Sequence, residues 1–290
     1  MTDTPSSPPV DPTLGRPRGP WDPAPGTATI QPEAPPADPA APALDKGQHP
    51  AVALISTLLL AGFVWWLSGS WIVAVALVFG LFVHEYGHVL AMNRYGMGPA
   101  KIYIIPFLGG LARGQRMPSS EWHGVLVSLA GPAFGLLAAL PFFALFYATG
   151  ETRWLGGVLA IAFINLINLA PAPPLDGAKA LGPVLARIHP VLEWLALLAV
   201  GGLAVAWGIW NGSFIFAVFL GLSLFAHLRR GRWRPEGRAL TWREAGLSFG
   251  LFLLTALACA AVGVLGILPV ADGSLDASVA QGGRMLGIGR

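Results

Sequence analysis

Two histidines and a glutamate lie within five residues, in the sequence HEYGH at positions 84–88. If this segment is helical, His84 and His88 are one turn apart on the same face, because a helix has about 3.6 residues per turn. Two imidazoles in that arrangement can bind one Zn²⁺, and Glu85 between them can accept a proton from a water on the metal. The pattern is not specific by itself, since it also describes two surface histidines on an amphipathic helix.

The segment around this motif is almost entirely apolar. It reads WIVAVALVFGLFVHEYGHVLAM from residue 71 to residue 92. A stretch of about 20 apolar residues is long enough to cross a bilayer, and ionisable side chains inside a bilayer are costly and usually functional. The amphipathic alternative fails here, because apolar residues surround the histidines on all sides. The sequence therefore predicts a metal site inside a membrane span.

A tetrahedral zinc that keeps one water needs a third protein ligand. The single cysteine, Cys259, excludes an intrachain disulfide and a cysteine-based zinc site. Asp176, in the sequence NLINLAPAPPLDGAKAL, is the best remaining candidate. The alternative interpretation is a proline-rich loop at the membrane surface with a solvated aspartate. The other histidines fall in the N-terminal tail or at predicted span ends, where a hydrated interfacial histidine is the simpler interpretation: His49, His123, His189 and His227.

The depth of these residues in the membrane supports the pairing. At about 1.5 Å per residue, His84 lies roughly 20 Å into its predicted span and His88 roughly 26 Å. The span at 154–170 enters from the same side and runs roughly 25 Å before Pro171 ends it. The prolines that follow leave backbone groups unpaired, which is tolerated at membrane depth where the chain lines a cavity. Both elements therefore deliver polar side chains to one level.

The composition as a whole is that of an integral membrane protein. Of the 290 residues, 54% are hydrophobic and 11% are charged, whereas a soluble domain has about 25% charged residues. This excludes a soluble protease with the same motif. Residues 1–50 differ, because they contain 14 of the 26 prolines and no apolar period. They predict a disordered tail without the pattern of a signal peptide.

Seven apolar segments after the tail are candidate membrane spans, and six spans plus a partial one is the alternative because three segments are short. With a cytoplasmic N-terminus, 15 of the 18 Lys and Arg residues fall on the cytoplasmic side, as the positive-inside rule requires. The sequence therefore predicts an all-α polytopic membrane protein with six to seven transmembrane helices. The candidate spans are 51–67, 71–93, 122–148, 154–170, 190–210, 213–228 and 244–268.

The sequence KIYIIPFLGGLARG at 101–114 predicts a small re-entrant β-hairpin. Alternating and β-branched residues precede a Gly-Gly turn, which is typical of two paired strands. The edge of such a hairpin can bind an extended peptide as an added strand. An ordinary interfacial loop is the alternative.

Three motifs, taken in this order, resemble the site-2 protease family of intramembrane zinc metalloproteases. They are LFVHEYGHVLAMNRYGMGPAKIYIIPFLGGLARG, SLAGPAFG and NLAPAPPLDG, and the resemblance covers residues 55–185. It implies that His84, His88 and Asp176 are the ligands of one zinc ion per chain. It also implies that Glu85 is the general base, which takes a proton from the attacking water and passes it to the leaving amine.

Two further polar positions accompany the third motif. The resemblance implies that Asn168 lies beside the site and holds the substrate strand or stabilises the oxyanion. Asn165, one turn earlier, has no such match and is interpreted as a bridge between helices. In the second motif, Gly131 and Pro132 are interpreted as helix-packing residues.

The resemblance also implies a substrate and an organisation. The substrate would be a transmembrane segment of another membrane protein, cut in regulated intramembrane proteolysis, and the expected partners are that protein and membrane lipids, with no nucleic acid. We expect a compact member of a bacterial inner membrane, without a PDZ or nucleotide-sensing domain. The expected regions are a disordered cytoplasmic tail (1–50), a metalloprotease core (51–185), accessory transmembrane helices (186–268) and a short C-terminal tail (269–290).

Two other functions fit part of this pattern. A zinc or proton transporter would also place histidine and aspartate in the membrane, and a non-catalytic relative would only bind membrane helices. Glu85 discriminates, because a transporter does not need a carboxylate next to its first histidine ligand. The sequence departs from the commonest family pattern at Ala178 and Lys179, where a second glycine and an arginine often follow Asp-Gly.

Overall fold

The computed structural model describes residues 10–11, 16–17, 45–106, 109–210, 212, 214–230, 237–271, 274 and 277. The chain divides into two units, residues 1–44 and residues 45–290. In the first unit, Val10–Asp11 (β1) pairs antiparallel with Arg16–Pro17 (β2). The predicted disordered tail over 1–50 and the predicted C-terminal tail over 269–290 otherwise lie largely outside the described residues.

The second unit is mainly helical, with one β-hairpin after its second helix. The strands are β3 (Lys101–Ile105) and β4 (Gly109–Arg113), and 3-10 turns cover Leu136–Ala139 and Leu268–Val270. The helices are α1 (Pro50–Ser68), α2 (Trp71–Arg94), α3 (Glu121–Gly135), α4 (Leu140–Thr149), α5 (Arg153–Asn168), α6 (Asp176–Ile188), α7 (Pro190–Trp210), α8 (Phe214–Arg230) and α9 (Trp242–Ile267).

Five helical segments of the described chain are long and apolar enough to cross a membrane: α1, α2, α3 continued into α4, α7, and α9 with the 3-10 turn after it. Helix α5 is apolar but has only 16 residues. The protein is thus a polytopic membrane protein, whereas the predicted number of six to seven spans is not confirmed. The predicted span at 122–148 is divided into α3 and α4, with Pro132 inside α3 and a proline in the first turn of α4.

Helix α6 was not anticipated, because its residues were assigned only to a cytoplasmic segment. It has 13 residues, or about 20 Å at about 1.5 Å per residue, which is too short to cross a bilayer. Ala180 and Val184, one turn apart, are buried on one face, and Lys179 is exposed. The helical period of these apolar residues was the available signal. It was hidden by the prolines that precede the helix.

The predicted hairpin at 101–114 is present. Strands β3 and β4 pair antiparallel over five residue pairs, from Lys101 opposite Arg113 to Ile105 opposite Gly109. Gly109 has φ +118°, a backbone conformation that favours glycine. Strand β4 packs closely against α2, because a Cβ atom at Gly110 would collide with the side chain of Glu85.

Helix α2 lies at the centre of the packing, and two of its glycines explain how closely its neighbours approach. A side chain at Gly80 would collide with Ile161 of α5, and one at Gly87 would collide with the Ala130 carbonyl of α3. Helix α9 packs against α3, α5 and α6. Its buried Cys259 belongs to a cluster with core residues Val125, Leu129, Leu169 and Ala180.

Candidate metal centre and active site

His84 and His88 lie side by side on α2 and are both buried. Their Nε2 atoms are 3.2 Å apart, as the spacing of four residues predicts. The Nδ1 atom of His84 is 2.9 Å from Asn165 Oδ1, and the Nδ1 atom of His88 is 2.7 Å from the Val127 carbonyl. Both partners accept hydrogen bonds, so each Nδ1 carries the proton and each Nε2 directs a lone pair inwards.

Asp176 completes the group from a different helix. Its Oδ2 atom is 3.0 Å from His84 Nε2 and 3.1 Å from His88 Nε2. Asp176 is the first residue of α6, and the tight turn from α5 fixes its position. At the next residue, Gly177, a Cβ atom would collide with the backbone carbonyls of Leu169 and Ala170. The structure thus brings together the three residues that the sequence separates by up to 92 positions.

The three atoms fit a tetrahedral zinc ion. Bonds of about 2.0–2.1 Å at tetrahedral angles separate two ligand atoms by about 3.3 Å, and the three separations here are 3.0, 3.1 and 3.2 Å. With both Nδ1 atoms protonated, the converging atoms are two unprotonated Nε2 atoms, each with a lone pair, and one carboxylate oxygen. Three acceptors in buried contact repel one another unless a cation lies between them. This group can therefore hold a metal ion.

Glu85 occupies a neighbouring face of α2, towards the hairpin. Its side chain is buried and contacts Gly110, and the backbone N–H of Ala112 is directed at its carboxylate. Glu85 also lines the same cavity as the three candidate ligands. It therefore lies beside the metal group, on the side of the hairpin.

The cavity at the site has a volume of about 610 Å³. Its walls come from the hairpin, from α2, α3 and α5 to α8, and from the segment between α5 and α6. Three charged side chains besides Glu85 and Asp176 line it, namely Glu121, Lys179 and Glu193. The carboxylate of Glu121 is buried and accepts a hydrogen bond of 2.9 Å from the Leu240 N–H. This volume is within the range of about 300–1,000 Å³ that is typical of ligand pockets.

The two asparagines of α5 have different surroundings in the site. Asn168 lines the cavity, and its Nδ2 donates to the Ile164 carbonyl at 3.1 Å. Asn165 is fully buried and does bridge two helices, α5 and α2, but its partner is the candidate ligand His84. Its Nδ2 donates to the Ile161 carbonyl at 2.8 Å, so that its oxygen faces the imidazole. A buried amide in an apolar helix needs such partners. The presence of Asn165 in an apolar segment was therefore the sequence feature that could have indicated its role.

Gly131 of α3 lies directly beside the two imidazoles. A Cβ atom at this position would collide with Nε2 of His88 and crowd Nε2 of His84. The sequence interpretation as a helix-packing residue was therefore incomplete, because the surface that packs here is the metal group itself.

We expect Gly131→Ala to reduce zinc binding by at least about tenfold, since perturbing the groups that orient metal ligands typically costs about 10–100-fold. Zinc per chain in detergent-purified protein, measured by mass spectrometry at limiting free zinc, checks this. Gly124→Ala in the same helix is the control, because the nearest atom to its Cβ would be Pro118 Cγ at 3.7 Å. Equal zinc affinity in the two variants would contradict the close approach.

Apolar membrane helices around a buried His–His–Asp group, with a glutamate at the adjoining cavity, define a class: polytopic membrane proteins with an HExxH metal centre. A model of peptidase family M50 matches residues 72–162. Over this segment the chain is similar to that family, the site-2 protease family. The match contains His84, Glu85 and His88 and ends within α5, so Asp176 lies beyond it.

Three relatives are named as zinc metalloproteases, two of them provisionally. A Synechocystis protein is 28% identical over 210 residues, which cover 64% of this chain and 54% of its own length. The Rip3 protein of Mycobacterium tuberculosis is 29% identical over 202 residues, covering 61% and 50%. A zinc metalloprotease of Methanocaldococcus jannaschii is 24% identical over 162 residues, covering 53% and 45%. The chain thus spans about half the length of these relatives.

Proposed function

We propose that this protein is an intramembrane zinc metalloprotease that hydrolyses a peptide bond in or near a transmembrane segment of another membrane protein. His84, His88 and Asp176 would hold one zinc ion per chain. The observation that carries the proposal is the convergence of these three buried ligand atoms within 3.2 Å of one another. The family and the names of the relatives support the same activity.

The residues of the chain divide the chemistry between them. A Zn²⁺ ion held by these ligands would act as a Lewis acid, which would lower the pKa of a bound water and polarise the scissile carbonyl. The Glu85 carboxylate accepts the proton of the attacking water and passes it to the leaving amine. Asn165 and Val127 hold the imidazoles in one tautomer through their Nδ1 atoms. Asn168, on the cavity wall, holds the substrate strand or stabilises the oxyanion.

The substrate binds as an extended strand along β4. A peptide bond in a helix is shielded by its own hydrogen bonds, so the segment that is cut must first unwind. Gly110, Leu111 and Ala112 of β4 line the cavity beside Glu85. A strand added to this edge satisfies its backbone groups by pairing and passes directly in front of the base and the metal ligands.

The N-terminus of the protein faces the cytoplasm of a bacterium, and the protein lies in the inner membrane. The distribution of Lys and Arg supports this orientation. In the topology predicted from the sequence, 15 of the 18 lie on the same side of the membrane as the N-terminus. Cleavage then serves regulated intramembrane proteolysis, with the product released from the membrane. Lipid headgroups contact the basic segment around 229–243.

The test is cleavage in liposomes that contain the purified protein and a panel of tagged single-span membrane proteins. We expect at least one panel member to be cut within or next to its span, with loss of cleavage after zinc chelation and recovery when Zn²⁺ is restored. Mass spectrometry of the products locates the cut. Cleavage that persists in fully zinc-free protein would refute the proposal. Uptake of radioactive zinc into the vesicles without cleavage would favour a transporter instead.

A further inference from the structure

The segment of residues 45–49, which precedes α1 and is called the pre-helix segment below, lies along the hairpin. The side-chain amide of Gln48 bonds to both backbone groups of Ile104: Oε1 accepts its N–H at 2.8 Å, and Nε2 donates to its carbonyl at 3.0 Å. The amide of Gln115, just after the hairpin, does the same to Asp45. Its Oε1 accepts the Asp45 N–H at 2.9 Å, and its Nε2 donates to the Asp45 carbonyl at 3.3 Å.

These contacts determine which edge of the hairpin is closed. The N–H and C=O of one strand residue point to the same side, and successive residues alternate. Because Ile104 bonds to Gln48, its polar groups point away from β4, and the pair Ile104–Gly110 does not exchange hydrogen bonds. Gly110 and Ala112 must then direct their N–H and C=O groups away from β3. The outer edge of β3 is closed by Gln48, and the outer edge of β4 faces Glu85 and the cavity.

The contact between Gln48 and Ile104, called the clamp below, is anchored in the membrane helix that follows it. Gln48 precedes α1 by two residues, and its neighbour His49 caps that helix by accepting the Ala51 N–H. Gln48 Nε2 also lies 3.5 Å from the hydroxyl of the buried Ser56 on α1. The hairpin is therefore fixed to α1 along one side as well as to α2 at Gly110.

We propose that Gln48 and Gln115 are positioning residues, which close the β3 edge and hold the hairpin so that the β4 edge is presented to the substrate. This inference rests on the proposed function, since it assigns the two amides a role in substrate binding. Neither residue touches the metal ligands in the described contacts, so loss of the clamp affects substrate affinity rather than the chemical step.

The test compares Gln48→Ala and Gln48→Glu with the control Lys46→Ala, a change at an exposed neighbour in the pre-helix segment. We expect Gln48→Ala to raise KM for the fastest-cut panel protein about tenfold, because two hydrogen bonds are lost, while kcat stays within about twofold. Gln48→Glu keeps an acceptor for the Ile104 N–H, but it places a carboxylate oxygen next to the Ile104 carbonyl, and the two oxygens repel each other. We expect its KM to be at least as high as that of Gln48→Ala. Zinc content stays unchanged in all three.

Hydrogen exchange of the peptide 101–106 measures the contact between Gln48 and Ile104 without any need for proteolytic activity. Gln48→Ala should accelerate exchange of one amide, that of Ile104, and Lys46→Ala should not. Unchanged exchange in Gln48→Ala would show that no clamp exists. Faster exchange with unchanged KM, or a fall in kcat alone, would overturn the positioning role. If the unmodified protein cuts no panel member, the proposed function fails, whereas the exchange result still decides whether the clamp exists.

Discussion

Glu85→Gln protein is expected to bind zinc like the unmodified protein and to lose proteolysis by a factor of about 10²–10⁴, the usual contribution of a general base. Glutamine preserves the size of the side chain and its contact with Gly110, but it cannot accept the proton of the attacking water. Glu85 is outside the group of three converging ligand atoms, so the metal should remain. The measurement is cleavage rate and zinc per chain on the same purified samples.

Tyr86→Phe is the matched control for this change. Tyr86 is the next residue on α2, and about half of its side chain is exposed, so it should tolerate the loss of a hydroxyl without effect on either quantity. Glu85→Gln protein that still cuts its substrate at a normal rate would show that another group is the base. Loss of zinc in the same variant would mean that Glu85 binds the metal, and the division of roles between Glu85 and Asp176 would be wrong.

Asp176→Ala is expected to lower zinc affinity by more than about 100-fold and to abolish cleavage. Changes in residues that only support a ligand already cost about 10–100-fold, and this change removes one of three ligands. It also leaves two inward-facing imidazoles without the carboxylate that both contact at 3.0–3.1 Å. Zinc per chain at a fixed free zinc concentration, measured together with cleavage, checks the prediction.

The control for Asp176→Ala is Glu121→Gln, a change at another buried carboxylate of the same cavity. Glutamine at this position keeps an oxygen to accept the Leu240 N–H, so zinc content should not change. Unchanged zinc in Asp176→Ala would place the third ligand elsewhere. Loss of zinc in both variants would indicate a damaged fold, which the thermal unfolding of the two proteins would reveal.

The sequence predicted those parts of the site that depend on local spacing. His84 and His88 share a helix face because they are four residues apart, and no tertiary information is needed to see this. The prediction of Asp176 as the third ligand had weaker support, because it depended on the prolines expected at membrane depth and on the exclusion of other candidate ligands. The structure places all three together, and the ends of α1, α2 and α7 agree with the predicted spans to within a few residues.

What the sequence did not predict depends on contacts between distant elements. The partner of Asn165 is known only once α5 packs on α2, and the need for glycine at 131 appears only when α3 reaches the imidazoles. Gln48 looked like part of a proline-rich tail, since nothing in its neighbours marks a partner 56 residues away. The predicted number of spans is not confirmed for another reason, because apolar length alone does not separate a short span from a short buried helix.

The packing of α9 has a consequence for the synthesis of the protein. Both histidines and Asp176 leave the ribosome well before Trp242, the first residue of α9. Yet α9 and the residues just before it contact α3 and α6, through Cys259 in one cluster and through Leu240 and Ala245 in another. The nascent chain therefore carries all three ligands before it has the helix that holds two of their supporting elements in place. The supporting scaffold of the metal group is complete only when α9 has been made and has packed against α3 and α6.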